Sequence, residues 1–140
     1  FGKGGKTLAG YMAKQGKRVA MIEKSNQMYG GTCINEGCIP SKSLIIQADK
    51  QSYGQAVERK EALIEKLRKK NFDKLDSLEP VDVITAKASF VSDHEVHVQG
   101  AGVDETLYGD YIFLNTGSVS NIPNIKGNTR GTGIFTQVRK

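Results

Sequence analysis

The hydrophobic positions near the start of the chain follow two different periods. Apolar residues recur at helical spacing within residues 4–15, and Gly16 follows as a stop signal, so this segment is predicted to form a short helix. Residues 18–23 (RVAMIE) form a short apolar run that ends in an acid, a pattern typical of a strand buried in a parallel sheet. The polar residues 25–32 that follow are predicted to form a loop.

A long amphipathic segment occupies the middle of the chain. The pattern becomes helical after Pro40, and residues 53–71 place apolar side chains on one stripe and charged side chains elsewhere. This pattern predicts a long helix at the protein surface. Its apolar stripe is expected to consist of Val57, Leu63, Ile64 and Leu67.

Short apolar runs separated by turn residues follow Pro80. Four such runs predict short strands that together form a small β-meander: residues 81–86, 88–91, 95–99 and 106–108. Residues 111–114 (YIFL) predict a further strand of the buried type. From Asn121 the chain is rich in Gly, Asn and Pro, which predicts a connecting segment.

The composition is that of an ordinary globular domain. With 140 residues, 38% of them hydrophobic, the chain can bury a core, which excludes the disordered and collagen-like classes. The net charge of +5 favours anions such as phosphates without requiring nucleic acid, and no apolar run approaches the roughly 20 residues of a membrane span. We therefore expect neither a nucleic-acid partner nor a membrane partner. Because Phe1 is not preceded by an initiating Met, we interpret the chain as a piece of a longer protein.

A glycine cluster opens the first predicted helix. Phe1-Gly2-Lys3-Gly4-Gly5 fits the dinucleotide-binding turn G-x-G-x-x-G if the residue before Phe1 is the first glycine. Such a turn lets the backbone approach a pyrophosphate, whose charge the helix N-terminus favours. Glu23 ends the next strand 18 residues after Gly5, close to the spacing of about 20 at which an acid binds the ribose hydroxyls. The alternative is an ordinary turn and a solvated strand end, and we favour the nucleotide site.

Cys33 and Cys38 carry the strongest chemical signal. On an undistorted helix, residues five apart are separated by about 7.5 Å along the axis, beyond the roughly 7 Å that a disulfide tolerates. A bridge therefore requires Cys33 to lie in a loop or a distorted turn, which Gly37 and Pro40 favour. So short a bridge adds little stability, and a redox use is the better explanation. A thiol near a helix N-terminus and a cation such as Lys42 is expected to have a lowered pKa.

Two other interpretations of the thiols stay open. The cysteines could be inert, or they could bind a metal together with His94 or His97. A metal site is disfavoured because the spacing is not C-x₂-C and the two histidines point to opposite faces of a predicted strand. We therefore predict no metal site.

The sequence of residues 30–42 (GGTCINEGCIPSK) resembles the redox-disulfide signature of the flavoprotein disulfide reductases, the pyridine nucleotide-disulfide oxidoreductase family. This family includes lipoamide dehydrogenase, glutathione reductase and mercuric reductase. The glycine turn, Glu23, this signature and residues 115–118 (NTGS), which are similar to the family's A-T-G-S, occur in the family's order over nearly the whole chain. Asn115 stands where the family usually has Ala. The segments FGKGGKTLA and MYGG are similar to those of a bacterial branch of the family that is related to the reactive-chlorine-resistance flavoprotein and to mercuric reductase.

The resemblance implies a fold and a set of site residues. The fold would be α/β, a partial Rossmann-like FAD-binding domain over residues 1–120 with a parallel sheet, a long helix and an inserted β-meander. Residues 121–140 would connect it to an NAD(P)-binding domain. Cys38 would be the flavin-proximal sulfur and Cys33 the interchange sulfur that attacks substrate. The FAD-binding residues would be Gly2, Gly4, Gly5, Glu23, Gly31, Thr32, Lys42, Lys87, Ala88, Thr116 and Gly117.

The resemblance also implies an activity. Members of the family pass a hydride from NAD(P)H to FAD, then reduce the cysteine pair, and then reduce a small-molecule disulfide or a metal ion. We expect the intact protein to have the same activity, and the resemblance implies that it is a homodimer. We expect it in the cytoplasm, because reactive cysteine pairs belong to a reducing compartment. The NAD-binding domain and the dimerisation domain with its catalytic His–Glu pair are not visible in this sequence, so these residues alone are expected to be inactive. The alternatives are a nucleotide-binding module with inert thiols and a Cys/His metal-binding domain.

Overall fold

The computed structural model describes residues 1–100, 102–118 and 121 and has a mixed α/β fold. Its helical elements are α1 (Lys3–Lys14), a 3-10 turn (Asn26–Met28), α2 (Thr32–Asn35), α3 (Cys38–Gln47) and α4 (Tyr53–Asp76). Its strands are β1 (Val19–Glu23), β2 (Val81–Thr85), β3 (Lys87–Phe90), β4 (Glu95–Gly100) and β5 (Val103–Tyr108). The predicted α/β class, with a parallel sheet, a long helix and inserted antiparallel strands, is confirmed.

The strands β1 and β2 form a parallel pair that organises the first part of the molecule. Their register runs from Val19 opposite Val81 to Glu23 opposite Thr85. Parallel neighbours require a crossover connection, and here the crossover contains α2, α3 and α4. The 3-10 turn and then the cysteine segment therefore follow the carboxyl end of β1.

Small and apolar residues from α1, the two parallel strands and the end of α4 form one core. Ala9 and Ala13 are the buried residues of α1, and small side chains allow this helix to lie close to the sheet. Met21 and Leu75 fill the space between sheet and α4, and burial of each contributes roughly 1.5–3 kcal/mol. This core holds the start of α1 beside the end of β1.

The long helix α4 is confirmed, but its buried face differs from the predicted stripe. The helix begins with a capping box formed by Ser52 and Gln55. Its buried residues are Ala56, Lys60, Ile64 and Leu75, whereas Leu63 is 39% exposed. The apolar pattern predicted the wrong stripe because the small Ala56 and the aliphatic stem of Lys60 are buried as well. The Lys60 Nζ pairs with the Glu61 Oε1 at 2.8 Å.

The predicted four-stranded meander has only three strands. The order in this sheet is β3-β4-β5, and the first predicted strand is instead β2, which pairs with β1. Ala86 ends the parallel ladder by donating to the Glu23 carbonyl at 3.0 Å, and together with Val96 and Val98 it forms the core of the meander. Local apolar pattern identifies a strand but not its partner, which explains the wrong assignment.

Residues 111–114 were predicted to form a buried strand, and this prediction is wrong for the described structure. They have no strand conformation, and Tyr111, Phe113 and Leu114 are 79%, 62% and 73% exposed. None of the five described strands pairs with this segment, and an apolar run becomes a strand only where a ladder partner exists. Apart from Asn121, the predicted connection over 121–140 lies outside the described residues. Among the described helices, none has the length and apolarity needed to cross a bilayer.

Candidate functional site

Two glycine turns meet at the centre of the candidate site. Gly2 is the N-cap of α1 and Gly31 is the N-cap of α2. A methyl group added at Gly31 would lie 2.5 Å from the Gly2 Cα, and Gly31 has a φ of +76°, so the contact requires glycine. The structure therefore brings the glycine turn, Gly31 and Thr32 together.

The side chain of Asn115 lies against the glycine turn. A methyl group at Gly5 would approach the Asn115 Nδ2 to 2.8 Å, and one at Gly2 would approach it to 3.1 Å. At Gly4 the nearest atom is the Asn115 Oδ1, at 3.3 Å. Asn115 was singled out in the sequence only because it replaces an alanine. The structure gives it a place over the first turn of α1, and Thr116 and Gly117 follow it as exposed residues.

Glu23 lies at the carboxyl end of β1 with its carboxylate turned toward the glycine turn. Its Oε2 accepts from the main-chain nitrogen of Phe1 at 3.0 Å, and its Oε1 accepts from the Ser25 amide at 3.2 Å. The side chain is only 16% exposed, so it is not the solvated strand end of the alternative interpretation. Lys87 and Ala88 are exposed and begin β3. They directly follow Ala86, whose amide donates to the Glu23 carbonyl.

The two cysteines lie on two different short helices. Cys33 is the second residue of α2, Cys38 is the first residue of α3, and Glu36 and Gly37 separate the helices. Cys33 was expected in a loop or a distorted turn and lies instead in the short helix α2, but the break between α2 and α3 means that the two cysteines do not share one undistorted helix. Both thiols are free and exposed.

The pKa of Cys33 is raised, mainly because its thiol hydrogen-bonds to the Cys38 side chain. Desolvation and the charge of Cys38 act in the same direction, while a hydrogen bond from the Cys38 backbone and, to a smaller extent, the charge of Lys3 lower the pKa. The expected lowering of the thiol pKa is therefore wrong for Cys33, since a thiol that donates to its neighbour resists deprotonation. Lys42 lies on α3 as an exposed residue.

Sequence reasoning did not identify the lysines of the first turn of α1 as neighbours of the cysteines. The charge of Lys3 lowers the pKa of Cys33, and the charge of Cys33 in turn favours the ammonium of Lys6. Burial and the nearby Lys74 nevertheless lower the pKa of Lys6, whose ammonium donates to Asn71. The available signal was their position on either side of Gly4 and Gly5 in the glycine turn.

The histidines considered as metal ligands have partners within the meander. The His97 Nε2 lies 2.8 Å from the Asp104 Oδ1, and the His94 Nδ1 lies 3.0 Å from the carbonyl oxygen of Gly109. Within residues 1–100, 102–118 and 121, no group of three or more His, Cys, Asp or Glu residues is arranged to hold a metal ion.

Comparison with known proteins identifies close relatives over most of this chain. The sequence profile of the family described as "Pyridine nucleotide-disulphide oxidoreductase" matches residues 1–140. A protein named as a probable pyridine nucleotide-disulfide oxidoreductase, RclA of Escherichia coli (strain K12), is 44% identical over 136 residues, which are 96% of this chain and 31% of RclA. Dihydrolipoyl dehydrogenase of Bacillus subtilis (strain 168) is 30% identical and covers 84% of this chain and 29% of its own length. Mercuric reductase of Staphylococcus aureus is 27% identical, over 81% of this chain and 23% of its own length.

The structural comparison agrees. A solved structure titled as the Cu(II) complex of the HOCl-induced flavoprotein disulfide reductase RclA from Escherichia coli superposes with a TM-score of 0.83 at 45% identity, covering 89% of this chain and 28% of that one. The chain thus spans between 23% and 31% of the length of these relatives. Members of this family use FAD and NAD(P)H. The family match over residues 1–140, the 44% identity to RclA and the shared fold show that this chain belongs to the pyridine nucleotide-disulphide oxidoreductase family.

Proposed function

We propose that this chain is the FAD-binding and cysteine-bearing part of an NAD(P)H-dependent flavoprotein disulfide reductase. In this proposal electrons pass from NAD(P)H by way of FAD to the Cys33–Cys38 pair and then to a disulfide or a metal ion. The observation that carries it is the backbone contact between Gly2 and Gly31, which joins the dinucleotide-binding turn to the cysteine segment.

The residues present fit FAD. The first N–H groups of α1 have no intrahelical partner, Gly2 has no side chain to cap them, and Lys3 and Lys6 add positive charge in the same turn. Gly2, Gly4 and Gly5 would bind the pyrophosphate there, and Glu23 would bind the adenosine ribose. The remaining contacts would come from residues that lie on the cysteine segment, β3 and the segment after Leu114: Gly31, Thr32, Lys42, Lys87, Ala88, Thr116 and Gly117.

The two cysteines would divide the redox chemistry between them. When bound, FAD supplies the two electrons that it takes from NAD(P)H as a hydride. Reduction of the disulfide with two electrons and one proton leaves one thiol and one thiolate. The hydrogen bond to the Cys38 side chain raises the pKa of Cys33 and so favours the proton on the Cys33 Sγ. Cys33 would lose this proton to the expected His–Glu pair before attacking substrate.

Metal ions are the substrate class that we favour. RclA has been solved as a Cu(II) complex, and mercuric reductase carries a metal ion in its name. A thiol pair suits soft metal ions, and two Cu(II) ions can be reduced to two Cu(I) ions as one disulfide forms from two thiolates. The likeness to dihydrolipoyl dehydrogenase keeps a small-molecule disulfide as the alternative substrate. We further propose a cytoplasmic homodimer for the intact protein.

The test is the visible spectrum of the intact protein, measured anaerobically before and after addition of two electron equivalents. We expect bound flavin and a long-wavelength charge-transfer band that persists in Cys33→Ser and is lost in Cys38→Ser. A colourless protein that cannot be reconstituted with FAD would refute the proposal. Stoichiometric zinc binding without flavin would favour the Cys/His metal-binding domain, and unreactive thiols beside a bound nucleotide would favour the inert-thiol module.

A further inference from the structure

Asn35 is a buried polar residue between the two cysteines. It ends α2 and is 8% exposed. Its Nδ2 donates to the carbonyl of Gly31 at 2.9 Å and to the carbonyl of Tyr29 at 3.1 Å. Both acceptors lie just before α2, so the Asn35 amide closes the turn from which the Cys33 helix starts.

Arg68 on α4 binds this turn at two points. Its Nε donates to the Asn35 Oδ1 at 2.6 Å, and its Nη1 donates to the Gln27 Oε1 at 2.7 Å. Gln27 lies in the 3-10 turn, before the glycines, and Asn35 lies after them. One guanidinium therefore ties both ends of the segment to the same helix, which a single ammonium cannot do with the same geometry.

The helix α4 is a suitable reference for the cysteines because it is long and well anchored. It has 24 residues and a capping box, and it contacts α2, α3 and β2. One turn beyond Arg68, the ring of Phe72 packs on Tyr29 with centroids 4.9 Å apart. Since α3 also packs on α4, the helices of both cysteines are positioned against one element.

We propose that Arg68 is a positioning residue for the cysteine pair, which acts through Asn35 and Gln27 to hold α2 so that the Cys33 thiol faces Cys38. The inference rests on the proposed redox use of this pair. It requires no contact between Arg68 and substrate, cofactor or either sulfur.

The experiment measures the cysteine pair of the intact protein without relying on flavin. The equilibrium constant for disulfide formation is determined in buffers of reduced and oxidised dithiothreitol, in which two protein thiols are oxidised and one dithiothreitol disulfide is reduced. The rate of Cys33 alkylation by iodoacetamide is followed against pH by peptide mass spectrometry. In Arg68→Ala we expect the constant to fall on the order of tenfold, the effect of one charge-assisted hydrogen bond. The midpoint of the alkylation profile should move to lower pH, because the hydrogen bond that raises the pKa of Cys33 is weakened.

Matched variants separate positioning from charge and from general destabilisation. Arg68→Lys keeps the positive charge but cannot donate to Asn35 and Gln27 with the same geometry. Its equilibrium constant and its alkylation midpoint should therefore lie between those of wild type and Arg68→Ala. Arg59→Ala removes an exposed arginine from the same helix and should change neither quantity. Gln27→Ala removes one exposed acceptor and should lower the constant about threefold even if Arg68→Ala does not fold.

The inference would be overturned if folded Arg68→Ala had the disulfide equilibrium constant and the alkylation midpoint of wild type. If Arg68→Ala does not fold, the same result in Gln27→Ala would overturn it. Wild-type values in Arg68→Lys would also overturn it, because the charge alone would then suffice. The flavin spectrum of the wild-type protein is recorded in parallel. A protein without flavin would refute the proposed function, while the thiol measurements would still decide the role of Arg68.

Discussion

The region that carries the candidate site and the meander are built in different ways. We call residues 1–85 the crossover region and β3, β4 and β5 the meander. In the crossover region the decisive contact is backbone against backbone at Gly2 and Gly31, and a single methyl group is too large for it. In the meander, side-chain burial on β4 holds the sheet together, because Val96 and Val98 are buried. Every residue of β3 is exposed. The two regions therefore depend on different contacts, a close backbone approach in the crossover region and side-chain burial in the meander.

The largest effect is expected for Gly31→Ala. The added methyl would meet the Gly2 Cα at 2.5 Å, and the residue would also keep an unfavourable φ of +76°. We expect a loss of about 3 kcal/mol or more in the free energy of unfolding, together with loss of FAD binding. Denaturant unfolding and flavin fluorescence check this. Gly54→Ala is the matched control, because no atom lies within 4 Å of its added methyl, and unchanged stability of Gly31→Ala would disprove the close contact.

Gly5→Ala should weaken the same region by about 1–3 kcal/mol, because its methyl would lie 2.8 Å from the Asn115 Nδ2. Asn115→Ala removes the obstructing amide, so the double variant should regain most of the lost stability. A double-mutant cycle in urea measures this coupling. Gly10→Ala, whose methyl would meet Leu75 at an ordinary 3.9 Å, serves as the control. Additive effects of the two substitutions would show that Asn115 does not restrict position 5.

Val98→Ala should destabilise the meander by about 2 kcal/mol, since Val98 is fully buried and the substitution leaves a cavity. The alkylation profile of Cys33 should stay unchanged, because the cavity lies in the cluster of Ala86, Val96 and Val98, against which no residue of the cysteine segment packs. Unfolding in urea and alkylation against pH are measured on the same variant. A shifted Cys33 profile would break the comparison by showing that the two regions are coupled.

The smallest expected effects concern the dependence of stability on pH. Cys33 in the crossover region should affect stability at alkaline pH, and Asp104 in the meander should affect it at acid pH. The folded-state pKa of Cys33 is raised above its ordinary 9.0, so its contribution to the stability of the reduced protein is present below that value and is lost as pH rises through the folded pKa. Hydrogen bonds from Gln99 and His97 lower the pKa of Asp104 from 3.8, so its contribution is present above that value and is lost as pH falls through the folded pKa. Thermal unfolding of Cys33→Ser should show a weaker alkaline decline than wild type, and Asp104→Asn a weaker acid decline. Identical pH profiles of variant and wild type would contradict the corresponding assignment.

Local sequence patterns identified most of the elements and the chemical centre of the site. The helix stop at Gly16 and the apolar run before Glu23 correspond to the end of α1 and to β1. The glycine cluster and the cysteine signature predicted a shared site, and the structure joins them at Gly2 and Gly31. These features were readable because turns, periodicity and motif spacing depend on residues that are close in the chain.

Other features depended on partners that are distant in sequence. Whether residues 81–85 join a parallel pair or a meander depends on Val19 to Glu23, some sixty residues earlier, and local pattern does not encode this choice. Residues 111–114 have the composition of a buried strand but no ladder partner among the described strands. The burial of Lys60 likewise depends on what α4 packs against.

The sequence by itself determined the family, the α/β class and the identity of the two cysteines, because these follow from motifs and short-range periodicity. Only the tertiary structure decided that Asn115 closes over the glycine turn, that Lys3 rather than Lys42 acts on the pKa of Cys33, and that Arg68 binds the cysteine segment. Each of these three contacts joins residues more than 25 positions apart. Their formation depends on how helices and strands pack, a property of the whole fold that no local pattern contains.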